Sequence, residues 1–227
     1  MFCALLRPVL TRFLVLAAAL AASACAYGSA VDIAPMKARL SHPVIAAGDY
    51  CEVKGATRPF TVVSSEDCVP IAWNARSRTF SIRVDDDPAE TVEVAIVPLG
   101  SNLHAAQIDG KEGPARYQLH LVITRGDAFV SPPLLSDEQL KTLSARHKKL
   151  TFKLDKSRPY VAAGEVGKIK ALLKDAAREG LRIAVREKDE ITVGVLDVQG
   201  TPDHVATAKQ TRDIEAVLKA TKKLTPK

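Results

Sequence analysis

Five histidines are the first residues in the sequence that could carry acid–base or metal chemistry. His104 and His120 fall on different predicted strands and could meet across a sheet, but no carboxylate is spaced to complete a triad with them. The other three lie in a predicted tether, on a basic helix turn and in a loop: His42, His147 and His204. Because a metal site needs clustered ligands, we expect surface or strand-edge histidines here.

Two short acidic motifs each have a binding interpretation and a simpler structural one. The aspartates at 85–87 lack the alternating ligand spacing, the central glycine and the terminal glutamate of a calcium loop, and Pro88 follows them. We therefore expect a solvated turn there. The Arg-Gly-Asp at 125–127 spells an adhesion tripeptide. Gly-Asp between two strands is also what a tight β-hairpin uses, and we expect the hairpin.

No motif in the sequence identifies an enzyme, and we expect a protein without catalytic activity. The patterns GxSxG, HExxH, GxGxxG and the Walker type are all absent from the sequence. Nucleic-acid binding is not expected either, because it would need basic residues interleaved with exposed aromatic residues. The basic C-terminal stretch 207–227 contains no aromatic residue. The sequence implies no cofactor.

Length and charge indicate an ordinary globular body with a basic end. At 227 residues, with 47% apolar and 26% charged residues, the chain suits one substantial domain or two small ones. The formal net charge is +6. The stretch 207–227 carries six Lys or Arg residues against Asp213 and Glu215. We interpret it as a solvated helix face, with contact to anionic lipid headgroups or nucleic acid as the alternative.

Residues 1–24 have the pattern of an export signal. Arg7 and Arg12 supply a short basic region, and the apolar run FLVLAAALAASA begins at Phe13. A run of about a dozen residues is short for a membrane span of roughly 20 and suits the core of a signal peptide. We therefore predict an exported protein.

The end of this leader resembles the lipobox of bacterial lipoproteins. In Ala22-Ser23-Ala24-Cys25, small residues directly precede a cysteine and follow an apolar core. In that family the cysteine becomes the first mature residue and carries lipid, so the resemblance implies lipidation of Cys25 and a membrane anchor. Ala22 stands where the family most often has leucine, and Ala26 in place of aspartate implies the outer membrane. Ordinary cleavage after Ala26, giving a soluble periplasmic or secreted protein, is the alternative.

Export leaves Cys51 and Cys68 as an even pair of cysteines. Cys3 leaves with the signal peptide, and Cys25 is either lipidated or lost. In an oxidising compartment we expect the remaining two to form a disulfide, which would stabilise the fold by roughly 3 kcal/mol. A metal pair lacks CxxC spacing and neighbouring histidines, and a catalytic thiol lacks an obvious base.

The residues after the leader divide into a predicted tether and a predicted β domain. Residues 25–47 contain prolines and small residues without a sustained period, which predicts a flexible tether. Residues 48–134 alternate apolar and polar positions between turn residues, most cleanly over 117–123. This pattern predicts an antiparallel meander. We expect the meander to curl into a small barrel or sandwich, because an open sheet would leave its edges exposed.

Residues 135–227 predict a mixed helix and strand portion packed on the β domain, so the fold class is α+β. Ser136 and Gln139 have the spacing of a capping box, which predicts a helix that begins at 137. A last helix is expected near 206–224.

A second helix is predicted over 165–179, where apolar residues follow one stripe and Gly180 is the expected stop. We expect the following apolar stretches, 181–185 and 191–196, to be strands. Continuation of the helix through Arg186 is the alternative.

The sequence therefore predicts an envelope-anchored lipoprotein at the periplasmic face of the outer membrane, with a binding or structural role. Its partner would be an envelope protein or a small hydrophobic ligand held inside the curled meander. The stretch from Tyr50 to Gly55 around a disulfide resembles bacterial lysozyme-inhibitor lipoproteins over a few residues, which implies an inhibitor of an envelope hydrolase. A hydrolase with a dispersed site would need a pocket that joins His104 or His120 to a carboxylate.

Overall fold

The computed structural model describes residues 26–54, 57–63, 68–83, 91–110, 113–155, 158–187, 189 and 191–225. The predicted signal peptide, the lipobox with Cys25 and the aspartates at 85–87 lie outside these residues. The interpretations that depend on them stay predictions.

The described residues form thirteen strands and three α-helices. The strands are β1 (Tyr27–Ser29), β2 (Gly48–Lys54), β3 (Thr61–Val62), β4 (Val69–Asn74), β5 (Thr79–Arg83), β6 (Thr91–Pro98), β7 (Leu103–Asp109), β8 (Tyr117–Arg125), β9 (Ala128–Val130), β10 (Thr151–Asp155), β11 (Arg158–Ala163), β12 (Val193–Leu196) and β13 (His204–Val205). The helices are α1 (Asp137–Ser144), α2 (Val166–Glu187) and α3 (Ala208–Leu224), and a short 3-10 helix covers Met36–Ala38.

Eight of these strands close into an antiparallel barrel. Their order is β8-β7-β6-β5-β4-β2-β12-β9, and β9 pairs back onto β8. The predicted α+β class and the predicted curling of the meander into a barrel are confirmed. The barrel does not end at residue 134 as expected, because β12 from the later portion pairs with both β2 and β9. Gly194 makes this insertion possible, since a Cβ there would lie 2.5 Å from the Phe129 ring.

The barrel interior is defined by one apolar cluster that draws side chains from all eight strands. The strand alternation of period two turns every second residue into this cluster. Its buried members are Tyr50, Val69, Ile71, Phe80, Ile82, Val94, Ile96, Ala106, Ile108 and Phe129, and Val122 and Leu196 pack against them.

A second apolar cluster, the helix-layer core, lies outside the barrel. It joins the outward-facing residues of five adjacent strands, β7, β8, β9, β12 and β2, to the buried faces of the helices. α3 packs directly on β8, β9 and β12, and α2 packs on α1 and α3. Ile169, Leu173 and Leu181 of α2 and Ile214 and Val217 of α3 are almost fully buried there. The helices therefore cover one side of the barrel.

The predicted tether at 25–47 is wrong for its described part. β1 pairs antiparallel with β8 and parallel with β11. Ile33 and Ala34 are fully buried, and the Ile33 amide donates to Gln107 Oε1 at 2.8 Å. Leu40 and Val44 pack against the barrel interior cluster. The segment shows no sequence period because it crosses the barrel surface instead of following one helix or one long strand.

The predicted stop of the second helix at Gly180 is also wrong, and so is the strand expected at 181–185. α2 continues through Glu187, as the alternative interpretation had it. Gly180 is buried where the helix meets the carbonyl of Pro133, and a Cβ there would collide with that backbone oxygen. The glycine thus serves a close tertiary contact and does not end the helix. The strand expected over 191–196 is present as β12.

The first residues of α1 and α3 have the capping boxes that their sequence patterns indicate. Ser136 and Gln139 form the predicted capping box in full, with the Gln139 amide donating to Ser136 Oγ at 3.2 Å and the Gln139 side chain accepting from the Ser136 amide. Thr207 and Gln210 form a second capping box before α3. These local bonds satisfy amides that the first helical turn leaves without partners.

Candidate functional site

The predicted disulfide joins Cys51 to Cys68, whose Cα atoms are 4.3 Å apart. Cys51 lies on β2 and is fully buried, and Cys68 immediately precedes β4. The neighbouring residues Tyr50 and Val69 are direct partners in the β2–β4 pairing, so the register itself brings the two sulfurs together. The bond ties two adjacent barrel strands across a sequence separation of 17 residues.

Asp197 lies beside this disulfide, so that its carboxylate and the two sulfurs have the spacing of a metal-ligand group. Bonded sulfurs offer no thiolate, which removes the strongest ligands from the group. The Asp197 carboxylate instead accepts hydrogen bonds from the Gln199 and Gly200 amides at 3.0 Å each. This arrangement shapes a loop and gives no metal centre.

His204 closes the same loop. Its Nδ1 donates to the carbonyl of Thr201 at 3.0 Å, and its Nε2 lies 3.5 Å from Asp197 Oδ1. The ring therefore has a fixed orientation next to a carboxylate. Both groups take part in holding the turn that leads into β13.

His104 and His120 lie on the interior face of the barrel. His104 is opposite Val122 and His120 is opposite Ala106 in the β7–β8 pairing, which puts the two rings in a diagonal relation. The two histidines therefore share one face of neighbouring strands, and a direct meeting of their rings stays a prediction. Thr124 Oγ1, on the same face, is 3.4 Å from His104 Nδ1.

Burial disfavours the charged form of both imidazoles. It lowers the pKa of His120 to about 4. It also lowers the pKa of His104, against a smaller opposing effect of a hydrogen bond with the Asn102 backbone. His120 Nε2 and Gln118 Oε1 have no hydrogen-bond partner among the described residues. No described carboxylate forms a hydrogen bond with either ring.

The Arg-Gly-Asp at 125–127 forms the predicted tight hairpin. Arg125 pairs with Ala128, so Gly126 and Asp127 alone make the turn between β8 and β9. Gly126 has a φ of 58°, a left-handed conformation that glycine adopts without strain at the first central position of such a turn.

The Asp127 carboxylate is engaged within the molecule. It accepts from Lys209 Nζ at 2.5 Å and from the Ala46 amide at 3.1 Å. Lys209 also donates to Asp213 at 2.9 Å. Burial raises the pKa of Asp127, but the bonds from Lys209 and Ala46 outweigh this effect and the pKa is lowered overall. The tripeptide therefore holds the hairpin against α3 and segment 40–46.

The side of the barrel away from α3 carries an open depression of about 150 Å³. It lies across β2, β4 and β5, and several of the side chains that line it are small. Its charged rim residues are Asp49 and Arg83. Its lining is Gly48, Asp49, Pro70, Ile71, Ala72, Ser81, Arg83 and Thr91.

A row of basic residues, here called the basic ridge, runs along the exposed side of α2. Its members stand four residues apart, so each lies only about 40° around the helix from the last and the row extends about 24 Å. They are Lys170, Lys174, Arg178, Arg182 and Arg186. The i,i+4 spacing can be seen in the sequence, but it places all five residues in one row only if the helix continues past Gly180. A helix that ended at Gly180 would have divided this row, so the ridge was not predicted from the sequence.

The two ends of the basic ridge differ in charge balance. Arg178, Arg182 and Arg186 each pair with a carboxylate of the same helix, at 3.5, 2.5 and 2.9 Å. Among the described residues, no carboxylate lies within ion-pair distance of Lys170 or Lys174. Burial, and then the neighbouring charge of Lys174, lower the pKa of Lys170. Positive charge is therefore uncompensated at the N-terminal end of the ridge.

Comparisons with protein-family models, with curated proteins and with solved structures found no match. No helix among the described residues is both long enough and apolar enough to cross a lipid bilayer.

Proposed function

We propose that this chain is an envelope-anchored bacterial lipoprotein that binds a partner or has a structural role, and that it has no catalytic activity. The support comes first from the leader and the lipobox pattern that ends at Cys25. The bond between Cys51 and Cys68 suits the oxidising compartment to which that leader would send the protein. Ala26 after the cysteine favours the periplasmic face of the outer membrane as the location.

The observation that carries the binding part of the proposal is the filled barrel interior. The rings of Tyr50 and Phe129 lie 5.5 Å apart at their centroids, and those of Trp73 and Phe80 lie 4.8 Å apart. Tyr50, Phe80 and Phe129 are buried. Side chains thus occupy the space that a small hydrophobic ligand would need, which favours a binding surface on the outside of the barrel.

The open depression on β4 and β5 is the part of that outer surface that best suits a protein partner. A space of about 150 Å³ accepts one medium-sized side chain. Asp49 and Arg83 on its rim offer opposite charges that would set the orientation of a partner. If that partner were an envelope hydrolase, the chain would act as its inhibitor.

A photo-crosslinking residue at Ala72, on the floor of the depression, tests the binding surface in the intact envelope. We expect a discrete crosslinked protein from Ala72 and none from a matched position at Val185, which is exposed on α2. Equal labelling from both positions, or none from Ala72, would contradict the proposed surface.

Cell fractionation tests the anchor separately. The Cys25→Ser variant should leave the membrane fraction, whereas a Cys68→Ser variant should remain there. A wild-type protein that is already soluble in the periplasm would refute the lipobox interpretation.

A further inference from the structure

Two elements contribute to one basic surface around the N-terminal half of α2. The turn after α1 adds Lys148 and Lys149, both exposed, to the uncompensated end of the basic ridge. His147 Nε2 lies 3.2 Å from Asp175 Oδ2, so this turn packs against α2. The charges of the turn and the helix therefore keep a fixed relation to one another.

The start of the described chain lies beneath the same half of α2. Tyr27, the first residue of β1, lines a small cavity together with Leu172 and Leu173 of α2. Its hydroxyl accepts a hydrogen bond from the Leu135 amide at 3.1 Å. Two residues of fully extended chain span at most about 7 Å. A lipid on Cys25 would therefore hold this end of the body directly at the membrane, because no spacer follows it.

An exposed apolar side chain accompanies these charges. Leu154 on β10 is 61% exposed. It lies two residues after Phe152 and so on the same face of the strand. Phe152 lines the cavity that Tyr27 also lines. Exposed basic residues together with an exposed leucine match the composition of surfaces that settle in a lipid headgroup layer.

Resting on the proposed lipidation of Cys25, we propose that Lys170 and Lys174, with Lys148 and Lys149, bind the headgroups of anionic phospholipids and orient the anchored body. A basic patch that reaches the same membrane adds to the binding that the lipid provides. Each lysine at such a surface increases partition about fivefold, and salt screens the effect. The depression on β4 and β5 lies on a different side of the barrel from α3. A body bound to the membrane in this orientation therefore leaves the depression open to a partner.

The test measures binding of the full-length mature protein, purified from its membrane fraction, to two kinds of vesicle. One kind is phosphatidylcholine alone, and the other is phosphatidylcholine mixed with phosphatidylglycerol. The variant Lys170→Gln/Lys174→Gln should lower the preference for the anionic vesicles by about thirtyfold. The control Lys222→Gln/Lys223→Gln removes the same charge from the exposed end of α3 and should leave the preference unchanged.

The outcomes separate the two proposals. Failure of the lipid anchor would appear as a wild-type protein that does not bind the neutral vesicles. Failure of the basic surface would appear as equal wild-type binding to both vesicles, or as equal losses in the two double variants. As a second readout, lysine acetylation should be slowed at Lys170 and Lys174 on anionic vesicles and not at Lys222. Protection of the same lysines by inorganic phosphate without vesicles would overturn the assignment to lipid.

Discussion

The barrel interior and the helix-layer core are both buried, but they are built from different chemistry. The barrel interior combines aromatic rings with His104 and His120, whose pKa values burial lowers. The helix-layer core is mostly aliphatic, and Cys51 of the disulfide is one of its buried members. The first core should therefore respond to pH, and the second to lost volume and to reduction of the disulfide.

The largest effect should come from removing volume in the helix-layer core. Leu173 is 1% exposed and lines a cavity of about 10 Å³, so Leu173→Ala should lower the free energy of unfolding by about 3–5 kcal/mol. The loss should be the same at neutral and mildly acidic pH, because no titratable group is involved. Denaturant unfolding measures it, with the exposed Leu154→Ala as the control that changes little. If the decrease in the free energy of unfolding became larger at lower pH, the two cores would not differ in their response to pH.

Loss of the disulfide should be the next largest effect. Cys51→Ser/Cys68→Ser should lower the free energy of unfolding by about 3 kcal/mol, since the unfolded chain regains freedom across a separation of 17 residues. Thermal melting of the reduced wild type should match the variant. If reduction and substitution both leave the melting temperature unchanged, the bond has no structural role.

The barrel interior should lose stability as the pH falls. The pKa of His120 is about 4 in the folded protein and 6.5 in its unperturbed state, so the unfolded chain binds the proton first. Stability should therefore fall between pH 6.5 and pH 4, by at most about 3 kcal/mol for this group. His120→Leu should flatten this part of the profile, whereas His42→Leu, at an exposed position, should not. An unchanged slope in His120→Leu would show that the ring does not titrate as a buried group.

The smallest expected change in the free energy of unfolding comes from replacing glycines of α2, and it should differ between two of them. A Cβ at Gly180 would collide with the carbonyl of Pro133, whereas a Cβ at Gly167 meets nothing within 4 Å. Gly180→Ala should cost about 1–3 kcal/mol, and Gly167→Ala should be neutral or stabilising by less than about 1 kcal/mol. Urea unfolding of the two variants compares them directly. Equal behaviour would mean that α2 does not press against the segment before α1.

Local signals in the sequence predicted the local structure well. Alternation of period two predicted the barrel strands, the capping box at Ser136 predicted α1, and the count of cysteines after export predicted the disulfide. The closure of the barrel by β12 was not predictable, because a four-residue strand reveals nothing about distant partners. The role of Gly180 was missed because its cause is a contact with Pro133, far away in the sequence.

In the candidate sites, too, local features could be predicted from the sequence and features that depend on distant contacts could not. The shared face of His104 and His120 could be predicted from strand alternation, but their burial depends on the closure of the barrel. β1 was missed because three residues, Tyr27–Ser29, are too short to show a period. The basic ridge became visible only once the full length of α2 was known.

The measurement that tests the central claim most directly is the intact mass of the protein purified from its own membrane fraction, before and after reduction. An anchored, disulfide-tied protein should begin at Cys25, carry added acyl mass, and gain the two hydrogens of a reduced disulfide. An unmodified chain that begins near Tyr27 would contradict the anchor, and with it the orientation of the basic ridge at a membrane.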